Sequence, residues 1–166
     1  MSSVLLPGEP LRLSSHFTKV VHEVELGVVI GMTGKNIQAR HALDHVAGYF
    51  LAIDFTNRGL GMMFKKDGAP WCLQKGSDGF AAVSDIIDKS ILSDPSNVKL
   101  NLKNNGVLKQ SGTTSEMIMS IPDQIEYLSK YMTLNEGDMI LSGTPNTPDF
   151  IAPRDILETS LSYNNV

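Results

Sequence analysis

Val20-Val-His-Glu-Val-Glu-Leu-Gly-Val-Val-Ile30 decides how this chain is read, because its apolar residues recur at every second position. Val24, Leu26, Val28 and Ile30 fall on one side of an extended segment, and Glu23, Glu25, Gly27 and Val29 on the other, which is the period of a strand. Two acids therefore leave one face of one strand, with Cα atoms roughly 6.5–7 Å apart, near enough for both carboxylates to reach a single ion. The same pair would also suit the wet face of a half-buried strand, and periodicity does not separate the two arrangements.

Outward from that segment, Gly31 and Gly34 break the alternation, and residues 36–46 read as a short helix with Ile37, Leu43 and Val46 available for burial. Residues 48–55 form a second apolar strand, with Tyr49, Leu51, Ile53 and Phe55 on one face and Phe50, Ala52 and Asp54 on the other. Asp54 thus arrives at a strand's carboxyl end, where an unpaired charge is costly unless something positive offsets it; a cap or turn acid before Thr56 is the alternative. Residues 56–66 suit a short helix weakened by Gly59 and Gly61, and Asp67-Gly-Ala-Pro70 signals a turn. Further strands are expected at residues 80–87, 98–103, 139–141 and 156–161. Asn104-Asn-Gly106 supplies hairpin chemistry between the strand at 98–103 and Val107-Leu108, since Asn and Gly tolerate positive φ. Ser120 is placed to cap a helix over residues 122–132, with Ile125, Leu128 and Met132 on its buried face. Strands outnumber helices without alternating regularly with them, so the fold class is α+β and strand-rich.

Composition narrows the function. The 166 residues make one domain, and 42% hydrophobic with 19% charged residues suits an ordinary soluble globular protein. A formal net charge of −4, with 14 dispersed Lys and Arg, supplies no basic field, so no nucleic-acid partner is expected. Cys72 is the single cysteine and has no intramolecular partner, which fits a reducing, intracellular compartment. Residues 1–10 lack the order of a signal or transit peptide, and no apolar run approaches the ~20 residues that cross a bilayer. No membrane partner is expected, and no address is readable.

Some motifs carry less than they first suggest. Gly31-Met-Thr-Gly-Lys-Asn36 lacks the glycine spacing of a phosphate loop and the hydroxyl residue after its lysine, and reads as a turn. His41 and His45 are four apart on the expected helix, but Ala42 stands where a zinc protease has its glutamate, leaving a polar helix face. Cys72, without a CxxC partner, reads as a packed thiol, and Trp71 as core.

His22-Glu-Val-Glu-Leu-Gly27, Ala52-Ile-Asp-Phe-Thr-Asn-Arg58, Lys65-Lys-Asp-Gly-Ala-Pro-Trp71, Lys75 and Glu136-Gly-Asp-Met-Ile-Leu-Ser-Gly-Thr-Pro145 occur in an order that resembles the fumarylacetoacetate hydrolase family. The resemblance runs from about Ser3 to about Leu161 and is nearest to small members acting as acylpyruvases and oxaloacetate decarboxylases. It implies a mixed β-roll or sandwich with short helices that usually dimerises, so a homodimer is expected, in the mitochondrion or cytoplasm. It also implies Mg²⁺, or Mn²⁺ or Ca²⁺, bound by Glu23, Glu25 and Asp54. Arg58 and Lys75 are implied contacts of the substrate's carboxylate or oxo groups, Lys75 as the catalytic cation, and Thr144 belongs to a carboxylate-binding loop. The substrate class is a small 2-oxo acid, either a 2,4-dioxo acid cleaved by hydrolysis or oxaloacetate losing CO₂.

The chain also departs from the family. Relatives place a water-activating His and Glu upstream of the matching segment, so residues 1–166 are expected to form a single catalytic domain without that segment. His16 and His22 are not in the corresponding motif, and His22 is expected to flank the metal strand. Gly61 stands where the family has a substrate-binding glutamine, and Gly143-Thr-Pro-Asn-Thr-Pro148 replaces a Gly-Val-Gly turn. Hydrolysis, which needs an activated water, is therefore expected to be more impaired than enolate chemistry such as decarboxylation or tautomerisation. The alternative is a catalytically impaired paralogue or truncated isoform acting as a structural, dimerising partner.

Overall fold

The structure, a computed structural model, describes residues 2–145 and 148–163. Its first half runs β1 (Val4–Leu5), β2 (Val20–Val21), β3 (Val24–Ile30), β4 (Val46–Asp54), β5 (Thr56–Asn57), α1 (Arg58–Asp67) and α2 (Cys72–Lys75). The second half adds β6 (Ala81–Val83), β7 (Ile87–Asp88), β8 (Lys99–Asn104), β9 (Val107–Thr113), α3 (Ile121–Tyr131), β10 (Met139–Leu141) and β11 (Leu157–Ser162). The largest sheet has the order β1-β6-β4-β3-β10, with β7 also on β4; β11-β8-β9 form a second sheet, and β2 pairs β5. All pairings are antiparallel except β1 with β6. This is the expected strand-rich α+β architecture with few short helices.

Its centre is the pair β3–β4, in register from Val24 opposite Ile53 to Val29 opposite Gly48. Val24, Leu26, Val28 and Ile30 join Tyr49, Leu51 and Ile53 in the main core, which Leu100 and Leu102 of β8 and Ile121 and Ile125 of α3 complete. The opposite parity, Val29 with Phe50 and Ala52, forms a smaller cluster on the other face. Both faces of β3 are therefore covered. Gly27 is required by that covering, since the Phe50 ring lies where any side chain would go: a Cβ at 27 would meet it at 2.2 Å.

Local chemistry explains the elements that matched expectation. Asn105 and Gly106 take φ of 50° and 76°, the two positive values that a tight hairpin between β8 and β9 needs. Ser120 caps α3 by accepting from Asp123 N–H at 3.3 Å. Gly68 closes α1 in the left-handed region.

Other expectations are corrected. The strand expected over residues 20–30 breaks at His22–Glu23, where His22 N–H bonds the Asp149 carbonyl. The helix expected at 36–46 is a 3₁₀ turn, Ala39–His45, with Ile37 and Val46 buried beside it and Leu43 half-buried. The segment at 56–66 begins as strand β5 and turns helical only at Arg58. Residues 80–87 split into β6 and β7. Met132 follows α3 and is exposed, and Cys72 is exposed rather than packed. Trp71 is 59% exposed and outside the core. Among the described residues no helix is long and apolar enough to cross a membrane.

Candidate metal centre

Burial decides between the two arrangements of the glutamate pair. Glu23 and Glu25 are 7% and 4% exposed, so neither lies on a wet face. β4 delivers the third acid: Asp54 N–H donates to the Glu23 carbonyl at 2.8 Å, fixing the two backbone positions against each other. One carboxylate oxygen from each of Glu23, Glu25 and Asp54 lies within 4.8 Å of the others.

Two cations come from the helices that follow. Asn57 caps α1 by accepting from Leu60 N–H at 3.2 Å, which starts the helix at Arg58; the guanidinium Nη2 then donates to Glu23 Oε1 at 2.9 Å. Lys75 ends α2, and its Nζ bridges Glu23 Oε2 at 2.6 Å and Asp54 Oδ2 at 2.5 Å. Thr56 Oγ1 also donates to Glu23 Oε2 at 3.0 Å. Burial alone would lower the Lys75 pKa, but the hydrogen bonds to Asp54 and Glu23 hold it above its ordinary value. Burial raises the Asp54 pKa, against the pull of Lys75.

Glu25 differs from its neighbours. It accepts from Gly143 N–H at 2.7 Å, and among the described residues no Lys, Arg or His pairs with it. Burial pushes its carboxyl up to about 7, with the Gly143 bond pulling the other way. An oxygen-only donor set with one buried acid that no cation among the described residues contacts suits a hard divalent cation, so the residues fit such an ion.

Thr144 lies beside this cluster, but its hydroxyl points into the backbone of β3: Oγ1 donates to the Val24 carbonyl at 2.8 Å and accepts from Gln110 Nε2 at 2.9 Å. Residues 146–147 of the same loop lie outside the described residues. His22 is fully buried with Nδ1 on Gln110 Oε1 at 3.0 Å, so it flanks the glutamate strand as expected and does not join the acids.

Two glutamines escaped the sequence reading. Gln74 is buried against Gly61, where a Cβ would come within 2.5 Å of its Oε1, so the absence of a side chain at 61 is matched by an amide arriving from α2. Gln110 is the one buried residue of β9. Nothing in its neighbourhood signals this, because the apolar Val107 and Leu108 of the same strand are exposed.

A cavity of about 660 Å³ lies elsewhere, lined by Leu5, Leu11, Leu51, Ile53, Phe55 and Ile151, which include β4 positions of opposite parity to Asp54. The acid cluster does not line it, and the chemistry places the site with the acids.

A largely buried acid triad at the end of a β3–β4 pair, crossed by a lysine and an arginine, sits in a chain that belongs to the fumarylacetoacetate (FAA) hydrolase C-terminal family, whose profile matches residues 1–164. Among curated proteins it is 39% identical over 162 residues to "Oxaloacetate decarboxylase, mitochondrial" of Dictyostelium discoideum, covering 97% of this chain and 74% of that one. It is 43% identical over 154 residues to "Oxaloacetate tautomerase FAHD1, mitochondrial" of Mus musculus, covering 93% and 70%. The crystal structure of fumarylpyruvate hydrolase from Pseudomonas aeruginosa in complex with Mn²⁺ and pyruvate superposes with a TM-score of 0.90 at 27% identity, covering 96% of this chain and 70% of that chain. Family, fold and relatives together make this a chain of the fumarylacetoacetate hydrolase class of enzymes.

Proposed function

We propose that the chain is a divalent-metal-dependent enzyme of short 2-oxo acids that carries out enolate chemistry on oxaloacetate, by decarboxylation or tautomerisation, or hydrolytic cleavage of acylpyruvates. The observation that carries this reading is the largely buried carboxylate triad, in which no cation among the described residues forms an ion pair with Glu25. Glu23, Glu25 and Asp54 would hold Mg²⁺, Mn²⁺ or Ca²⁺. When bound, such a cation polarises a 2-oxo group chelated together with its adjacent carboxylate.

The chain's own side chains supply the remaining charge. Arg58, about half exposed beyond Glu23, is placed to take a substrate carboxylate through its planar fork. The Lys75 ammonium stands between Glu23 and Asp54, where positive charge stabilises an oxo oxygen as it gains electron density. In decarboxylation the bond to the departing CO₂ breaks and its electron pair enters the enolate; in tautomerisation only a proton moves between carbon and oxygen. Hydrolysis needs an activated water as well. His22 is turned to Gln110 and away from the acids.

The names of the Dictyostelium and mouse relatives support oxaloacetate as substrate, and the Mn²⁺ and pyruvate in the Pseudomonas structure support the metal and the product class. The names of the Dictyostelium and mouse relatives support a mitochondrial location, and we extend the reading to a homodimer. The test is an assay of the purified chain with Mg²⁺ or Mn²⁺, following oxaloacetate enol content and pyruvate release. Turnover that EDTA abolishes and added metal restores is expected, and acetylpyruvate assayed alongside shows which reaction dominates. Oxaloacetate and acetylpyruvate both turning over no faster than in metal-containing buffer alone would end this reading.

A further inference from the structure

The hydrogen bonds of β3 stop short of its acids on one side. β10 pairs with β3 only from Gly27 to Val29, so Val24 and Leu26 direct their outward backbone groups past the end of the ladder. Side chains take those groups: Ser142 Oγ donates to the Leu26 carbonyl at 2.5 Å, and Thr144 Oγ1 donates to the Val24 carbonyl at 2.8 Å. Val24 N–H donates to Gln110 Oε1 at 3.1 Å, and Gln110 Nε2 donates to Thr144 Oγ1 at 2.9 Å. Val24, Gln110 and Thr144 thereby close a three-membered ring of hydrogen bonds that imitates a strand pairing.

The direction of every bond in the ring follows from one fixed donor. Val24 N–H can only donate, so it faces the amide oxygen of Gln110, the amide nitrogen faces Thr144, and the Thr144 proton is left for the Val24 carbonyl. The same oxygen sets His22 Nδ1 as a donor. Gln110 is 1% exposed, so water does not replace it. The residue before Thr144 is Gly143, whose N–H is the hydrogen-bond donor on Glu25.

We propose that Gln110 is a positioning residue of the metal centre, holding the 142–145 turn against β3 so that Gly143 N–H stays on Glu25. No ionised glutamate or apolar residue reproduces this, because the position needs an acceptor for Val24 and a donor for Thr144 on one rigid plane. The inference rests on the metal-centre reading only for its effect on metal affinity.

The test compares wild type with Gln110→Met, which keeps the shape, Gln110→Glu, which keeps the acceptor, Thr144→Val, and the Gln110→Met/Thr144→Val double variant. Amide exchange of Gly143 in the metal-free chain is expected to quicken about tenfold in each single variant, as for loss of one hydrogen bond, while the β8–β9 amides keep their rates. Mn²⁺ titration calorimetry is expected to show a matching loss of affinity, with the double variant no worse than either single one because all break one ring. Unchanged Gly143 exchange in Gln110→Met overturns the proposal, as does a double variant whose losses multiply. A wild type that binds no Mn²⁺ overturns the metal-centre reading instead, and Gly143 exchange then decides the role of Gln110 on its own.

Discussion

An acid buried as deeply as Glu25 holds its proton more readily when folded than when unfolded. Its carboxyl shifts from 4.5 to about 7, so between those values the folded chain binds a proton that the unfolded chain has released. The stability this contributes is complete below about pH 4.5 and is lost as pH rises through about 7. In metal-free protein, Glu25→Gln removes that dependence: its unfolding free energy should vary less than the wild type's from pH 4.5 to 7, and exceed it at pH 7.5. Urea melts across that range check this, and parallel curves would show that Glu25 titrates normally. At this scale a period of two puts Glu23 and Glu25 on one face and leaves Asp54 at a strand's carboxyl end, but their grouping as a metal set came only through resemblance. Arg58 and Lys75 were visible only through resemblance, since isolated cations carry no pattern. Gln74 and Gln110 were invisible, because their burial is set by elements distant in sequence.

Elements whose geometry is local were the most legible. Asn105-Gly106 fixes its hairpin and Ser120 its helix start with residues that act on their immediate neighbours. The break at His22–Glu23 was not, since the group that pulls the chain out of register is the carbonyl of Asp149. Trp71 and Cys72 misled for a related reason: apolar character does not place a residue inside, and the short α2 turns Gln74 inward in their stead. Gly27 is a case where element packing makes a specific demand. With the Phe50 ring over it, Gly27→Val must displace that ring and is expected to destabilise the protein by about 1–3 kcal/mol, as overpacked cores do. Chemical denaturation measures the loss, and Gly27→Val/Phe50→Ala should recover part of it.

For the whole molecule, the centre is assembled from β4, both short helices, the turn after β10 and the residues around the start of β3. Those parts meet only in the folded chain, so an ion they hold stabilises the fold by mass action. Mn²⁺ at a hundredfold excess over its dissociation constant should add ~2.7 kcal/mol and raise the melting temperature, and Asp54→Asn should remove most of that rise. Thermal melts with and without EDTA read both outcomes, and an equal rise in wild type and variant would place the ion elsewhere.

Sheets that end in unsatisfied backbone invite another chain to extend them, the usual route to aggregates. At the acid-bearing end of β3, Ser142, Gln110 and Thr144 have already consumed the amide and carbonyl groups that such a newcomer would need. The side chains that finish this strand therefore also seal it, and an apolar β-rich segment can end in acidic residues without becoming a seed for fibre growth.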